Sequence, residues 1–176
     1  MILKVARLGH PVLRQRAKPV PAALIQRPEF QRFLDDLIDT MREYDGVGIA
    51  APQVHIALQA AVIEAARNPR YPRAPAIPLT VLLNPRLRPL ERRQAADWEG
   101  CLSLPDLRGQ VPRWASVAVE GLDRRGRPLR LRARGFFARV LQHEHDHLQG
   151  RVYVDRMRGL STLTHLAEHA RFCAGG

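Results

Sequence analysis

The sequence predicts an α+β fold: mostly antiparallel strands around a central helix, with a C-terminal helix. Three observations predict it. Short apolar runs at 58–65 and 79–83 have the length of buried strands, and residues 116–133 read as a hairpin. Residues 136–148 instead repeat apolar side chains at helical spacing. The elements follow in order. The first 27 residues, with Pro11, Pro19 and Pro21, form an extended entry segment. A helix is expected over 28–44, where Phe30, Phe33, Leu34, Leu37, Ile38 and Met41 share one face and Asp35, Asp36 and Arg42 take the other. Pro28 suits its first turn and Gly46 ends it. Between the two strands, residues 68–78 with Pro69, Pro72, Pro75 and Pro78 form a surface loop. Strands at 116–122 and 128–133 flank the turn Asp123-Arg124-Arg125-Gly126. Phe137, Val140, Leu141 and Leu148 give the next helix its apolar side, with Gly150 as its stop, and an amphipathic helix over 160–172 closes the chain.

Bulk properties bound the function. A chain of 176 residues is about the size of one domain, so residues 1–176 are expected to fold as a single domain. Two cysteines, Cys101 and Cys173, exclude a disulfide scaffold. No window reaches the roughly 18–20 apolar residues of a membrane helix, and the first residues, with Lys4 and Arg7, lack the apolar run of a signal peptide. A cytoplasmic location and no membrane partner are expected. Net charge is +11, and Lys4 and Lys18 are the only lysines. That balance favours polyanionic surroundings. The arginines are scattered from Arg7 to Arg171 with no zinc-finger, basic-zipper or RNA-recognition signature, so no sequence-specific nucleic acid is expected.

The chemistry lies in three segments. In Gln142-His143-Glu144-His145-Asp146-His147, the imidazoles of His143 and His147 are four residues apart and share a helix face, which makes this a metal-binding helix. Glu144 adjoins the first of them and can take a proton from a water on the metal. A catalytic site needs a third protein ligand and an open position. Cys101, in Glu99-Gly100-Cys101-Leu102-Ser103, is a soft candidate for zinc or ferrous iron, and equally a small buried hydrophobe. Gly46-Val47-Gly48-Ile49-Ala50-Ala51-Pro52-Gln53 fits a dinucleotide fingerprint only formally, because a helix precedes it and Pro52 interrupts it. It reads better as a glycine-permissive strand edge ending in Gln53, an amide that can donate to an oxyanion.

His165, Glu168 and His169 form an inverted zinc motif with Cys173 beyond. On one helix they would spread over roughly 12 Å, too far to meet at one ion, so a solvated helix is the preferred reading. A metalloprotease or general amidase could use the same His/Glu chemistry. A ribosome-associated module with a structural metal would need a fourth ligand: His145 points to the opposite side of the helix, and Asp146 suits an outer carboxylate better.

Together GVGIAAPQ, EGCLS and QHEHDHL resemble the three signature motifs of the peptide deformylases, and ILKVARLGHPVL and LTVLLNP look like that family too. The resemblance implies a metal-dependent hydrolase that removes the formyl group from the N-terminal formyl-methionine of newly synthesised proteins and releases formate. It implies that Cys101, His143 and His147 hold the metal, that Glu144 is the acid/base, and that Gln53 and the Leu102 backbone N–H bind the oxyanion. The family's usual metal is Fe2+, for which Zn2+, Ni2+ or Co2+ can substitute. Its substrates are formyl-methionyl nascent peptides. Weak ribosome association is expected from the charge, through the C-terminal helix with Arg158 and Arg171 at its ends. The sequence departs from the family at Val54-His55, where an isoleucine and a glycine are common. It departs again at Arg139, which in some members is an apolar residue lining the pocket for the first substrate side chain.

Overall fold

The computed structural model describes residues 1–66, 68, 71 and 74–173. The entry segment is less extended than expected. It contains a short 3-10 turn, Pro11–Arg14, and one turn of helix, α1 (Ala22–Ile25). Helix α2 (Pro28–Glu43) follows, with Pro28 in its first turn, and Gly46 N–H closes its end on the Met41 carbonyl at 2.8 Å. Its buried stripe of Phe30, Leu34, Leu37, Ile38 and Met41 packs over β1 (Gly48–Ala50) and β2 (Ala60–Ala65).

Two antiparallel sheets form the frame. The first has the order β1-β2-β3-β6-β7, with β3 (Ile77–Pro89), β6 (Ser116–Leu122) and β7 (Pro128–Arg134). The β6–β7 hairpin turns where the sequence predicts. Strand β3 runs well beyond the expected 79–83. Pro78, Pro85 and Pro89 mask it in the sequence, and the ladder tolerates Pro85 through an irregularity between Leu83 and Arg86, beside Asn84 at φ 52°. In the expected 68–78 loop, Pro75 precedes β3 and Pro78 lies in it, while Pro69 and Pro72 are outside the described residues.

The second sheet, β4-β5-β8, holds the hairpin of β4 (Gln94–Cys101) and β5 (Leu104–Trp114), which sequence patterning misses. The start of β4 is exposed on both faces and β5 contains two prolines, so neither shows clean alternation. Helix α3 (Gly135–Leu148) packs Ala138, Val140 and Leu141 onto Val117, Val119 and Ala133 of the first sheet, and also contacts β5. The last helix needs correction. Residues 160–163 are not helical, Thr164–His165 form β8 paired to Leu107 and Arg108, and α4 (Leu166–Phe172) buries no residue. Arg158 therefore lies before the helix, which carries only Arg171 of the two expected basic ends. No helix is long and apolar enough to cross a membrane.

Candidate metal centre and active site

Three separate pieces of chain meet at one point. Helix α3 supplies His143 and His147, whose rings lie one turn apart with centroids 5.0 Å from each other. Cys101 ends β4 at the tight link to β5, and its Sγ comes within 3.3 Å of His147 Nε2. The candidate ligand atoms of Cys101, His143 and His147 all fall within 4.8 Å of one another, and all three side chains are buried. They form a metal-binding triad. Burial alone would raise the Cys101 thiol and lower His143. Each is shifted the other way by its partners: the imidazoles hold the thiol well below its ordinary value, and Cys101 with Glu99 lifts His143. The site therefore favours thiolate, the form that binds metal.

The third segment enters from β1, an edge strand of the first sheet, followed by a 3-10 turn over Ala51–Val54. Ala50 N–H donates to Gln53 Oε1 at 2.9 Å, which fixes the amide and turns Nε2 inward. From there Nε2 donates to Ser103 Oγ at 3.3 Å and Cys101 Sγ at 3.5 Å, which points its two hydrogens into the site. Leu102 follows Cys101 and lines the same cavity, its carbonyl accepting from Arg7 Nη1 at 2.7 Å. Glu144 is 4% exposed, and its Oε2 has no hydrogen-bond partner. Burial raises its carboxyl to about 7. Gly48 makes the room: a Cβ there would lie 2.4 Å from Glu144 Oε1.

Behind the ligands stands a buried ion network. His143 Nδ1 meets Glu99 Oε2 at 2.8 Å, which leaves Nε2 as the free donor of that ring. Arg113 donates twice to Glu99, at 2.8 and 3.0 Å, and also to Asp146, which Arg156 holds from outside. Arg139 borders the cavity, but its guanidinium is committed to Glu99 Oε1 and the carbonyls of Val111 and Ala95 at 2.7–2.8 Å. Its charge therefore serves the network and is not free for substrate. Despite burial, the cations keep Glu99 ionised far below the usual carboxylate range.

All six residues expected at the site are brought together: Gln53, Cys101, Leu102, His143, Glu144 and His147 line or adjoin one cleft. Val47, Trp98, Phe136 and Val140 give that cavity an apolar side. The inverted motif is not gathered: among the described residues, the one convergent group of three ligating side chains is Cys101, His143 and His147. His165 is instead paired in β8, and His169 lies edge-on to Trp98. Sequence reasoning assigned no role to Glu99 or Arg113, and read Gly48 only as backbone freedom in a strand edge. The available signal for Glu99 was a carboxylate two residues before a candidate ligand, the kind of group that orients a ligating histidine.

The family model described as Polypeptide deformylase matches residues 2–162. The chain belongs to the polypeptide deformylase family. It is 46% identical over 158 residues to peptide deformylase 2 of Pseudomonas putida, covering 90% of this chain and 89% of that protein. It is 45% identical over 161 residues to peptide deformylase 1 of Bordetella pertussis, covering 92% and 90%. Among solved structures it is similar to the Met-Ala-Ser-bound class I type b peptide deformylase of Acinetobacter baumannii. That match has a TM-score of 0.86 and 39% identity, and covers 89% of this chain and 99% of the other. A peptide deformylase is a hydrolase of protein biosynthesis that removes the formyl group from the N-terminus of newly made chains.

Proposed function

We propose that deformylation in this chain is carried by Glu144, Gln53 and the Leu102 N–H around a divalent ion held by Cys101, His143 and His147. The observation that carries the reading is the convergence of those three donor atoms within 4.8 Å, beside a buried carboxylate oxygen with no partner. One thiolate and two imidazoles suit a borderline-soft ion, and three protein ligands leave a position open. We take Fe2+ as the native ion, with Zn2+, Ni2+ or Co2+ as substitutes. A bound divalent ion supplies a water acidified to about neutral pH.

The chain's own groups do the rest. A formyl-methionyl peptide enters the cavity with its methionine side chain against the apolar side formed by Val47, Phe136 and Val140. The relative solved with Met-Ala-Ser supports a peptide of that type. Glu144 takes a proton from the attacking water and returns it to the amine nitrogen as the formamide C–N bond breaks. Gln53 Nε2 and the Leu102 N–H donate to the oxygen that becomes negative, so its charge needs no bulk water. Formate leaves with the water oxygen, and the peptide leaves with a free amino terminus. We further take residues 1–176 as one catalytic domain, located in the cytoplasm and drawn weakly to ribosomes by charge.

The test is Glu144→Gln with metal analysis. Metal content should stay near that of the parent, while turnover of formyl-Met-Ala-Ser falls by ~10²–10⁴. An active variant, or one that is inactive because it lost its metal, defeats the assignment.

A further inference from the structure

The outer face of the first sheet carries positive charge that the catalytic site does not use. Register places Arg86, Glu120 and Arg130 in one row across β3, β6 and β7. Arg88, Ala118 and Arg132 form the next row, and Ser116 and Arg134 the one after. Strand alternation puts all of these on one side. The other side bears Leu87, Val117, Val119, Leu131 and Ala133, which pack in the core cluster that includes α3. Arg86, Arg88, Arg130, Arg132 and Arg134 are all exposed. Arg130 lies 3.8 Å from Glu120, while among the described residues the other four form no ion pair. The array repeats about every 7 Å along a strand and about 10 Å from β3 to β7.

Like charges at these separations repel, so the face is complementary to an extended polyanion and not to itself. We infer that this face docks on the phosphate backbone of double-stranded RNA, without reading its sequence. Three features select a duplex phosphate backbone over single strands and membranes. The charges are guanidinium forks, whose geometry matches phosphate oxygens bidentately. The positions between them are Ala118, Ser116 and Glu120, with no aromatic platform on which unpaired bases could stack. Those positions also offer no large apolar anchor of the kind that seats a protein in a membrane interface. A two-dimensional array of guanidinium groups instead suits the regular backbone of a duplex. The inference does not rest on the deformylase reading. Because the face lies across the sheet from α3, docking leaves the catalytic cavity untouched.

The test compares two quadruple variants of equal charge. One carries Arg86→Gln, Arg88→Gln, Arg132→Gln and Arg134→Gln. The other carries Arg16→Gln, Arg27→Gln, Arg151→Gln and Arg158→Gln, at exposed arginines elsewhere. Binding to a fluorescein-labelled RNA duplex of about 20 base pairs is measured by anisotropy from about 50 to 200 mM salt. The face variant should bind at least about tenfold more weakly, with its log–log salt slope reduced by about 3–4, while the control keeps most of both. Arg88→Gln and Arg132→Gln alone should each lower the slope by about 1, and they carry the test if the quadruple variant does not fold. Turnover of formyl-Met-Ala-Ser should be unchanged throughout. Equal losses in face and control variants, or an unchanged slope in the face variants, overturn the inference. So does loss of binding to phosphatidylglycerol vesicles with RNA binding intact, which would assign the face to a membrane.

Discussion

Replacing Gly48 with alanine should disable the enzyme through a single contact. Gly48 sits in β1 and is not one of the metal-binding triad, although it lines the same cleft. An added Cβ would lie 2.4 Å from Glu144 Oε1, 2.8 Å from Cδ and 2.9 Å from Cγ. Ordinary contact begins near 3.4 Å, so the carboxylate must retreat by about 1 Å. It cannot do so by swinging only its tip, because Cγ is also crowded. A displacement of that size at a catalytic group costs about 10²-fold in rate. Overpacking adds about 1–3 kcal/mol of destabilisation, or a fall of roughly 2–12 °C in melting temperature for a chain of this length. The backbone itself contributes no strain, since Gly48 is not among the positive-φ residues.

Steady-state release of formate from formyl-Met-Ala-Ser, with metal content and thermal melting on the same samples, measures these quantities. Turnover should fall by about 10²-fold with metal content retained. Because the loss acts through Glu144, Gly48→Ala should cost almost nothing further in a Glu144→Ala background. Turnover within a few-fold of the parent refutes the geometric argument. Losses that multiply in the double variant refute the route through Glu144.

Other outcomes follow from the same site. Glu99→Gln removes the carboxylate from His143 Nδ1, Arg113 and Arg139, and should weaken metal binding about 10–100-fold in a competition titration with a chelator. It should also destabilise by roughly 3–5 kcal/mol in denaturant melts, because buried cations lose their partner. Cys101→Ser should lose metal affinity. In the parent, the iron form should lose activity in air faster than the nickel form, because both a ferrous thiolate centre and its cysteine can be oxidised. Truncation before Leu166 should leave turnover near that of the parent, since α4 buries no residue. Truncation before Leu160 strips β8 from β5 and should lower the melting temperature by several degrees.

Legibility in the sequence followed locality. Helix α2 and the β6–β7 hairpin were readable because their signals are contained within one element: a one-face apolar stripe with Pro28 and Gly46, and a turn of Asp and Gly between alternating runs. The same holds for His143, Glu144 and His147, which one helix face brings together. Cys101 was a candidate whose role periodicity could not decide, since its partners lie more than 40 residues away. Strands β4 and β5 were missed because they pair chiefly with each other and satisfy no simple alternation. Gly48 reads in sequence as conformational freedom, whereas its use is the space it leaves for a side chain 96 residues downstream. The last helix was overextended because the apolar residues of 160–166 look helical in sequence. The edge of β5 instead recruits the backbone of Thr164 and His165.

The buried ion network explains how three ligands from two independent elements hold one geometry. Cys101 rides on the β4–β5 hairpin, whereas His143 and His147 ride on α3. Apolar packing between a helix and a hairpin specifies distance well and sliding poorly, because dispersion contacts have little direction. Charge-assisted hydrogen bonds do have direction. Arg113 of β5 grips Glu99 of β4 with two nitrogens and Asp146 of α3 with the third, and Glu99 continues to His143. Arg139 of α3 returns from the helix to Glu99 and to the backbone carbonyls of both strands. The chain of contacts thus crosses between helix and hairpin at three points around the ligands. Burying such a network gains little stability over a well-packed apolar contact of equal volume. What it adds is register. Once Glu99 is fixed, His143 can offer only Nε2 to the ion, and Cys101, two residues along the same strand, is held opposite it.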